Sequence, residues 1–379
     1  MRSRTRRMGR DRRTEALRLS ALPVAGAGLL AGLLVFGPVA AATISAEATD
    51  PNAGSWPAAR DPVQLDGNVY DLEYDVARDT IWFTLQQAGD QEPAWVYAYR
   101  LAEGKLDSYE LPPADYNGFL SRVVITDDGA VWVSEPYCLI RLDPETRRIS
   151  TLQLDLVVKD ALPGAYDPND PQPGTWISSL APSGNGVEMA RNRVPFLAHV
   201  SSTMQVDSTI RLPDAYAGST ELGVGAAGEL YVGQGLLHGS RVAMVTADGK
   251  AITLPITASR LRERNGTVWG VGSSGDGAVV RGGAVQLPPG GLAADADPGS
   301  RSYPTPDNGL VRYNGVRNEI VRLASDGSVL RRVGLPSSAS IAHGVRVTLR
   351  TQISDLVVDK EGNTWVFVQN LFQLQELVL

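Results

Sequence analysis

A tight turn followed by a strand carrying one aromatic residue recurs along this chain, and that recurrence restricts the fold more than any other feature. It is clearest in Asp127-Asp128-Gly129-Ala130-Val131-Trp132-Val133. It returns as Gly228-Glu229-Leu230-Tyr231-Val232, Asn265-Gly266-Thr267-Val268-Trp269 and Glu361-Gly362-Asn363-Thr364-Trp365-Val366, with an early copy in Arg78-Asp79-Thr80-Ile81-Trp82-Phe83. Turn formers followed by alternating apolar residues signal β-hairpins. Each unit ends on a short strand closing in Leu or Leu-Pro, such as Tyr109-Glu110-Leu111-Pro112, Ile252-Thr253-Leu254-Pro255 and Val333-Gly334-Leu335-Pro336. A proline just past an outer strand removes no ladder hydrogen bond.

The units fall near residues 68–113, 117–155, 175–213, 218–256, 258–289, 303–336 and 349–379. The third and sixth lack the aromatic and carry Asn185-Gly186-Val187 and Asp307-Asn308-Gly309-Leu310-Val311 instead. The last unit has three strands, Ile353–Val358, Trp365–Val368 and Phe372–Leu379, and no outer one. Pro62-Val63-Gln64-Leu65 is a spare strand that resembles Val285-Gln286-Leu287. Repeats of this kind bury their faces only against neighbours, and closure removes open sheet edges. The expectation is an all-β, seven-bladed β-propeller over residues 61–379, closed by an N-terminal outer strand. Six or eight blades stay open if a degenerate copy is misread. The 39 glycines and 24 prolines suit many short strands, and 43% hydrophobic with 20% charged residues argues against wholesale disorder.

Residues 1–20 hold eight arginines against Asp11 and Glu15, although the whole chain carries a net charge of −7. An acidic body repels phosphate backbones, which excludes nucleic acid as a partner. An uncharged stretch, Leu19 to Ala42, follows the arginines and ends in Val39-Ala40-Ala41-Ala42. A basic start, an apolar middle and small residues at the end describe a secretory signal cut after Ala41 or Ala42. The stretch is also long enough to serve as an uncleaved membrane anchor. Residues 1–42 are thus a signal peptide or anchor, residues 43–60 a linker, and both readings make the body secreted or cell-surface. The membrane enters only through this segment. The single cysteine, Cys138, allows no internal disulfide and no thiolate metal cage, and its apolar strand makes it a small buried residue.

In a propeller the inner strand of each blade starts at one mouth of the central channel. Counting back about ten residues from the aromatic position gives Asp71, Arg122, Ser179, Glu221, Arg260 and Asp355, with Arg301 a poorer match in the sixth unit. The ends of the second strands add Glu135, Gln234, Gln369 and Asn370. Such a ring of mixed charge is a ligand-binding pocket, or a set of polar residues that pair with one another. The carboxylates Asp71, Glu221 and Asp355 suit a hard divalent cation, magnesium or calcium. Arg122 and Arg260 suit a carboxylate or similar anion. His238 and His343 lie in loops expected on the channel face and are candidate acid–base groups, whereas His199 lies mid-strand and is structural. Asp167-Pro168-Asn169-Asp170 is acidic enough to touch calcium but reads as a turn.

The pattern of apolar strand, Asp/Gly turn, aromatic strand and then Leu139-Ile140-Arg141-Leu142-Asp143-Pro144-Glu145-Thr146 resembles the propeller families of virginiamycin B lyase, SMP-30/gluconolactonase and the NHL repeats. The resemblance spans all seven units and concerns the fold, which does not fix function. It implies, for the lyases, a Glu-x-His element with bound magnesium. Here Ile341 precedes His343 by two residues and Leu236 precedes His238, so that element is absent. For the SMP-30-type lactonases it implies a Glu, Asn and Asp metal set, which Glu221, Asn370 and Asp355 imitate. The expected function is a non-catalytic, monomeric, extracytoplasmic propeller that binds a small ligand or protein partner at its channel. The alternative is a metal-dependent lyase or lactonase with Asp71, Glu221 or Asp355 on the metal and His343 or His238 as base. A membrane-tethered sensor is a third reading.

Overall fold

The computed structural model describes residues 60–86, 94–112, 122–135, 138–153, 177–191, 195–216, 219–234, 241–257, 260–264, 267–271, 278–281, 284–286, 301–342, 345–377 and 379. The expected leader and linker, and the acidic turn at 167–170, lie outside these residues. Among the described residues no helix is long and apolar enough to cross a membrane.

Alternating apolar residues between turn formers give short antiparallel strands, and these assemble into seven four-stranded sheets plus one hairpin among the described residues. The fold is an all-β propeller. The inner strands of the sheets are, in order, Asn68–Asp75, Val123–Ile125, Ile177–Ser183, Ser219–Val224, Arg260–Arg264, Arg301–Pro304 and Ile353–Val358. The first six sheets then run outward in chain order, the seventh does so for three strands and takes its outermost from the N-terminal end, and successive inner strands are neighbours, with the seventh beside the first. The turns use local chemistry that the sequence advertises. The Thr126 hydroxyl donates to Asp128 Oδ1 (2.6 Å), which also accepts from the Ala130 N–H (3.1 Å). Gly129 sits between them at φ +74°, a conformation costly for any residue with a Cβ.

The core is divided into wedges between adjacent sheets. Trp82, Val96, Tyr109, Val131 and Ile140 fill the first-to-second interface, and Trp132, Leu139, Leu180, Met189 and Phe196 the next. Leu197, Leu222 and Val232 join the third and fourth sheets, Tyr231, Leu261 and Val268 the fourth and fifth, and Trp269, Leu310 and Val321 the fifth and sixth. One cluster, with Leu72, Phe83, Tyr313, Leu356, Trp365 and Leu374, joins the sixth, seventh and first. The repeat aromatics are therefore packing residues: Trp82, Trp132, Tyr231 and Trp365 are at most 1% exposed. The connection after the sixth sheet, where the sequence suggested a loop, carries paired strands. Ser337–Ala342 and Val345–Arg350 pair as a hairpin, because their alternation of small or apolar with polar residues suits a ladder.

The spare N-terminal strand pairs with the C-terminal one. Val63 stands opposite Leu374 and Gln64 opposite Gln373, and the Leu65 N–H donates to Phe372 O at 2.8 Å. Arg60 extends the clasp: its Nε meets Glu376 at 3.2 Å in the seventh sheet and its Nη1 donates to Leu101 O in the first. Leu65 is buried in the shared cluster. Leu65→Ala should lower unfolding stability by about 2–5 kcal/mol in denaturant titration. An unchanged midpoint would show that the clasp carries no load.

Candidate functional site

Asp71, Glu221, Asp355 and Ser179 occupy the same register on four inner strands. Each stands opposite an equivalent residue of the second strand: Thr84, Gly233, Phe367 and Ala190. A register shift just before each one, at Val69/Asp71, Ile177/Ser179, Ser219/Glu221 and Ile353/Asp355, marks a bulge. Bulges re-aim a side chain, and here all four side chains reach the following sheet. Asp355 Oδ2 accepts from the Leu72 N–H (3.1 Å), Asp71 Oδ2 from Val123 (3.0 Å), Ser179 Oγ from Leu222 (3.0 Å) and Glu221 Oε2 from Leu261 (3.1 Å). The remaining sheets present Arg122, Arg260 and Arg301. A guanidinium cannot accept a hydrogen bond, so these arginines make other contacts. Arg122 pairs with Glu221, Arg260 Nη1 meets Asp355 Oδ1 at 3.4 Å, and Arg301 Nε donates to Ser354 O at 2.8 Å.

One step further along the strands, Arg262 crosses from the fifth sheet to the seventh and first. Its Nη2 donates to Asp71 Oδ1 and Asp355 Oδ2, both at 3.1 Å, and its Nη1 to Glu73 Oε2 at 3.2 Å. Tyr303 donates its hydroxyl to Glu73 Oε1 at 2.5 Å and lies under the Arg262 guanidinium. Burial opposes ionisation of Asp355, but Arg262, Arg260 and the Leu72 N–H outweigh it and hold its carboxyl below the usual range. Asp71 moves up, through burial and the charge of Asp355, against the pull of Arg262. Burial lifts Glu73 to about 7, with Arg262 and Tyr303 opposing.

Beside this cluster lies a cavity of about 350 Å³, lined by Glu73, Arg122, Val124, Ala181, Gly223, Arg262 and Tyr303 among others. Its position follows from side-chain size. At one level the second, third and fourth sheets contribute Val124, Ala181 and Gly223, while the fifth, sixth and first contribute Arg262, Tyr303 and Glu73. The small residues leave the space, and the large ones form a polar wall.

The ring residues are committed to one another, and most of them stand apart from the cavity. Asp71, Glu221 and Asp355 do not converge on a metal position; among the described residues no group of three or more His, Cys, Asp or Glu side chains is placed to hold a metal ion. Arg262 supplies the positive charge between Asp71 and Asp355, and Glu221 is committed to Arg122. Asn370, also assigned to the metal set by resemblance, is exposed in the Gln369–Leu371 turn. The cavity itself lies along the later part of the inner strands, so of the expected ligand-binding residues only Arg122 lines it.

Glu135 is buried at the end of the second sheet's second strand, where burial raises it to about 7. It also helps burial push the Cys138 thiol up to about 11, which leaves that sulfur a poor nucleophile. The Gln234 backbone pairs with Ser219. His238 and His343 lie outside the described residues. His199 Nδ1 contacts Glu188 Oε1 at 3.0 Å within the third sheet. Sequence reasoning missed Glu73, Arg262 and Tyr303. Their signal was strand alternation: each lies two residues beyond a ring position and shares its face.

No protein-family model matches the sequence, and no curated protein matches it. Among solved structures, a streptogramin B lyase is similar at 12% identity and TM-score 0.63, over 83% of this chain and 96% of that one. A catalytically inactive virginiamycin B lyase from Staphylococcus aureus with quinupristin aligns at 15% identity and TM-score 0.58, covering 84% and 98%. The extracellular domain of a hybrid two component system from B. thetaiotaomicron aligns at 13% identity and TM-score 0.53, covering 83% of this chain and 39% of that one. These likenesses define the class, a β-propeller similar in fold to the virginiamycin B lyases.

A raised folded-state pKa means that folded Glu73 keeps a proton the unfolded chain has released. Its contribution to stability is full below about pH 4.5 and is lost as pH rises through about 7. Between about pH 5 and 8, the wild type should lose roughly 1–3 kcal/mol more stability than Glu73→Gln. Parallel pH–stability curves would place Glu73 at its ordinary value.

Proposed function

We propose that the seven four-stranded sheets are the blades of one closed ring, and that this ring is an extracytoplasmic binding protein whose small ligand enters the central channel. The observation that carries the reading is the cavity beside Arg262: preformed, half apolar, and walled by Glu73, Arg262 and Tyr303, which hold one another in place. Pockets of this size with a few fixed polar groups suit small organic molecules. The basic-then-apolar order of residues 1–42 supports export, with the body secreted or held at the cell surface. A segment of a protein partner is the other occupant the channel face can take.

The enzyme reading keeps one handhold. Glu73, near neutrality at about 7 and bonded to Tyr303, has the poise of a proton-transfer group beside a cavity. The divalent-cation version of that reading loses the carboxylate set it relied on, since Arg262 and Arg122 occupy those acids.

Protein recovered from the culture medium tests the proposal. Its first residue should be Ala42 or Thr43. A panel of small organic molecules, read by thermal shift and by product analysis on lactones and esters, should yield a stabilising ligand without turnover. Ala181→Phe, which fills the cavity, should abolish that stabilisation while the unliganded protein stays folded. Ligand binding unaffected by Ala181→Phe, or turnover dependent on Glu73, would overturn it.

A further inference from the structure

At the opposite, strand-start end of the channel, the fifth and sixth sheets begin with Arg260 and Arg301, first residues of adjacent inner strands. Both guanidiniums point to consecutive residues of the seventh sheet. Arg260 Nη1 meets Asp355 Oδ1 at a long 3.4 Å, while Arg301 Nε donates to Ser354 O at 2.8 Å. The two guanidiniums are thus directed at neighbouring residues, and Arg260 is the foremost charge acting on Arg301. The Nε bond fixes the plane of Arg301, and its two terminal nitrogens make no hydrogen bond and no ion pair among the described residues.

The acid between them is already in demand. Asp355 serves Arg262 at 3.1 Å and the Leu72 N–H at 3.1 Å before it serves Arg260. Around it, Arg122, Arg260, Arg262 and Arg301 face Asp71, Glu73, Glu221 and Asp355; Arg262 alone engages Asp71, Glu73 and Asp355, and Arg122 takes Glu221, so Asp355 is the one carboxylate left near Arg260. Accessibility is also divided by sign: the Arg260 side chain is 27% exposed and Asp355 only 3%. A solute entering this mouth meets the arginines and not the acid. Burial and the charge of Arg260 hold Arg301 below the ordinary guanidinium range, against the opposing pull of Asp355.

We propose that Arg260 and Arg301 form an oxyanion-binding site at the strand-start mouth of the channel, taking a carboxylate or phosphate group in the fork of Arg301 with Arg260 closing beside it. Guanidinium forks match both groups through paired N–H···O bonds. The site is separate from the cavity beyond Arg262 and does not rest on the binding function proposed for it.

Calorimetric titration of the full chain with succinate and with inorganic phosphate, against chloride at matched ionic strength, tests the site. Saturable binding with Kd at or below about 1 mM is expected for at least one oxyanion. Succinate preference identifies an organic acid as the ligand class, and phosphate preference a phosphorylated compound. Arg301→Gln and Arg260→Gln should each weaken binding about tenfold or more, and Arg301→Lys should weaken it too, because an ammonium lacks the fork. Arg211→Gln, on an exposed outer strand, should leave it unchanged. Nitrogen-15 spectra of the arginine side chains provide a readout that needs no variant: the oxyanion should shift the Nε–H signals of Arg260 and Arg301. No saturable binding, equal binding by chloride, undiminished binding in Arg301→Gln, or shifts confined to other arginines would overturn the assignment.

Discussion

A four-stranded sheet with two apolar faces cannot stand alone in water, and every other feature of this protein follows from that constraint. Each sheet is wedged between two others, and the aromatics that mark the repeat fill the wedges. Such a ring has two weak places: the seam, where the chain must meet its own beginning, and the axis, where inner strands converge with no sheet to cover them. The seam is met by Val63 and Gln64 pairing with Leu374 and Gln373, and by Arg60 reaching both flanking sheets. The axis is met by charge.

The axial solution has two tiers. The first is local: bulged Asp71, Ser179, Glu221 and Asp355 each take a backbone N–H from the next sheet. The second is long-range. Arg262 and Arg264 leave one strand and spread over the others, Arg262 onto three carboxylates and Arg264 onto the carbonyls of Pro304, Val358 and Asp359. Buried ion pairs gain little net stability over an apolar core, yet breaking one side of such a pair is costly. This network therefore fixes which sheets face which across the axis. It also leaves two open regions of different character, a half-apolar cavity on one side and an arginine-rich mouth on the other.

Much of the fold was legible because a hairpin repeat is a local signal: turn residues and alternation gave the sheet positions, and three strands at the end with one spare at the start gave the N-terminal pairing. Counting back from the aromatics also located Asp71, Ser179, Glu221, Arg260 and Asp355 on the inner strands. What those side chains do was not legible. A carboxylate at a channel mouth reads equally well as a metal ligand or an ion-pair partner, and the choice depends on Arg262, which lies on a distant strand. The cavity was hidden for the same reason, since it arises from the small sizes of Val124, Ala181 and Gly223 on three separate sheets. The hairpin at 337–350 has no counterpart in the repeat and so escaped a reading built on it.

Arg262 couples sheets that lie far apart in the sequence, and the axial arrangement depends on it. A double-mutant cycle with Arg262→Met and Asp355→Asn, measured by denaturant unfolding, isolates that coupling. The expected interaction energy is about 1–3 kcal/mol, with the double variant more stable than the two single losses imply. Additive losses would mean that the axial charges sit side by side without holding the ring, and would contradict that coupling.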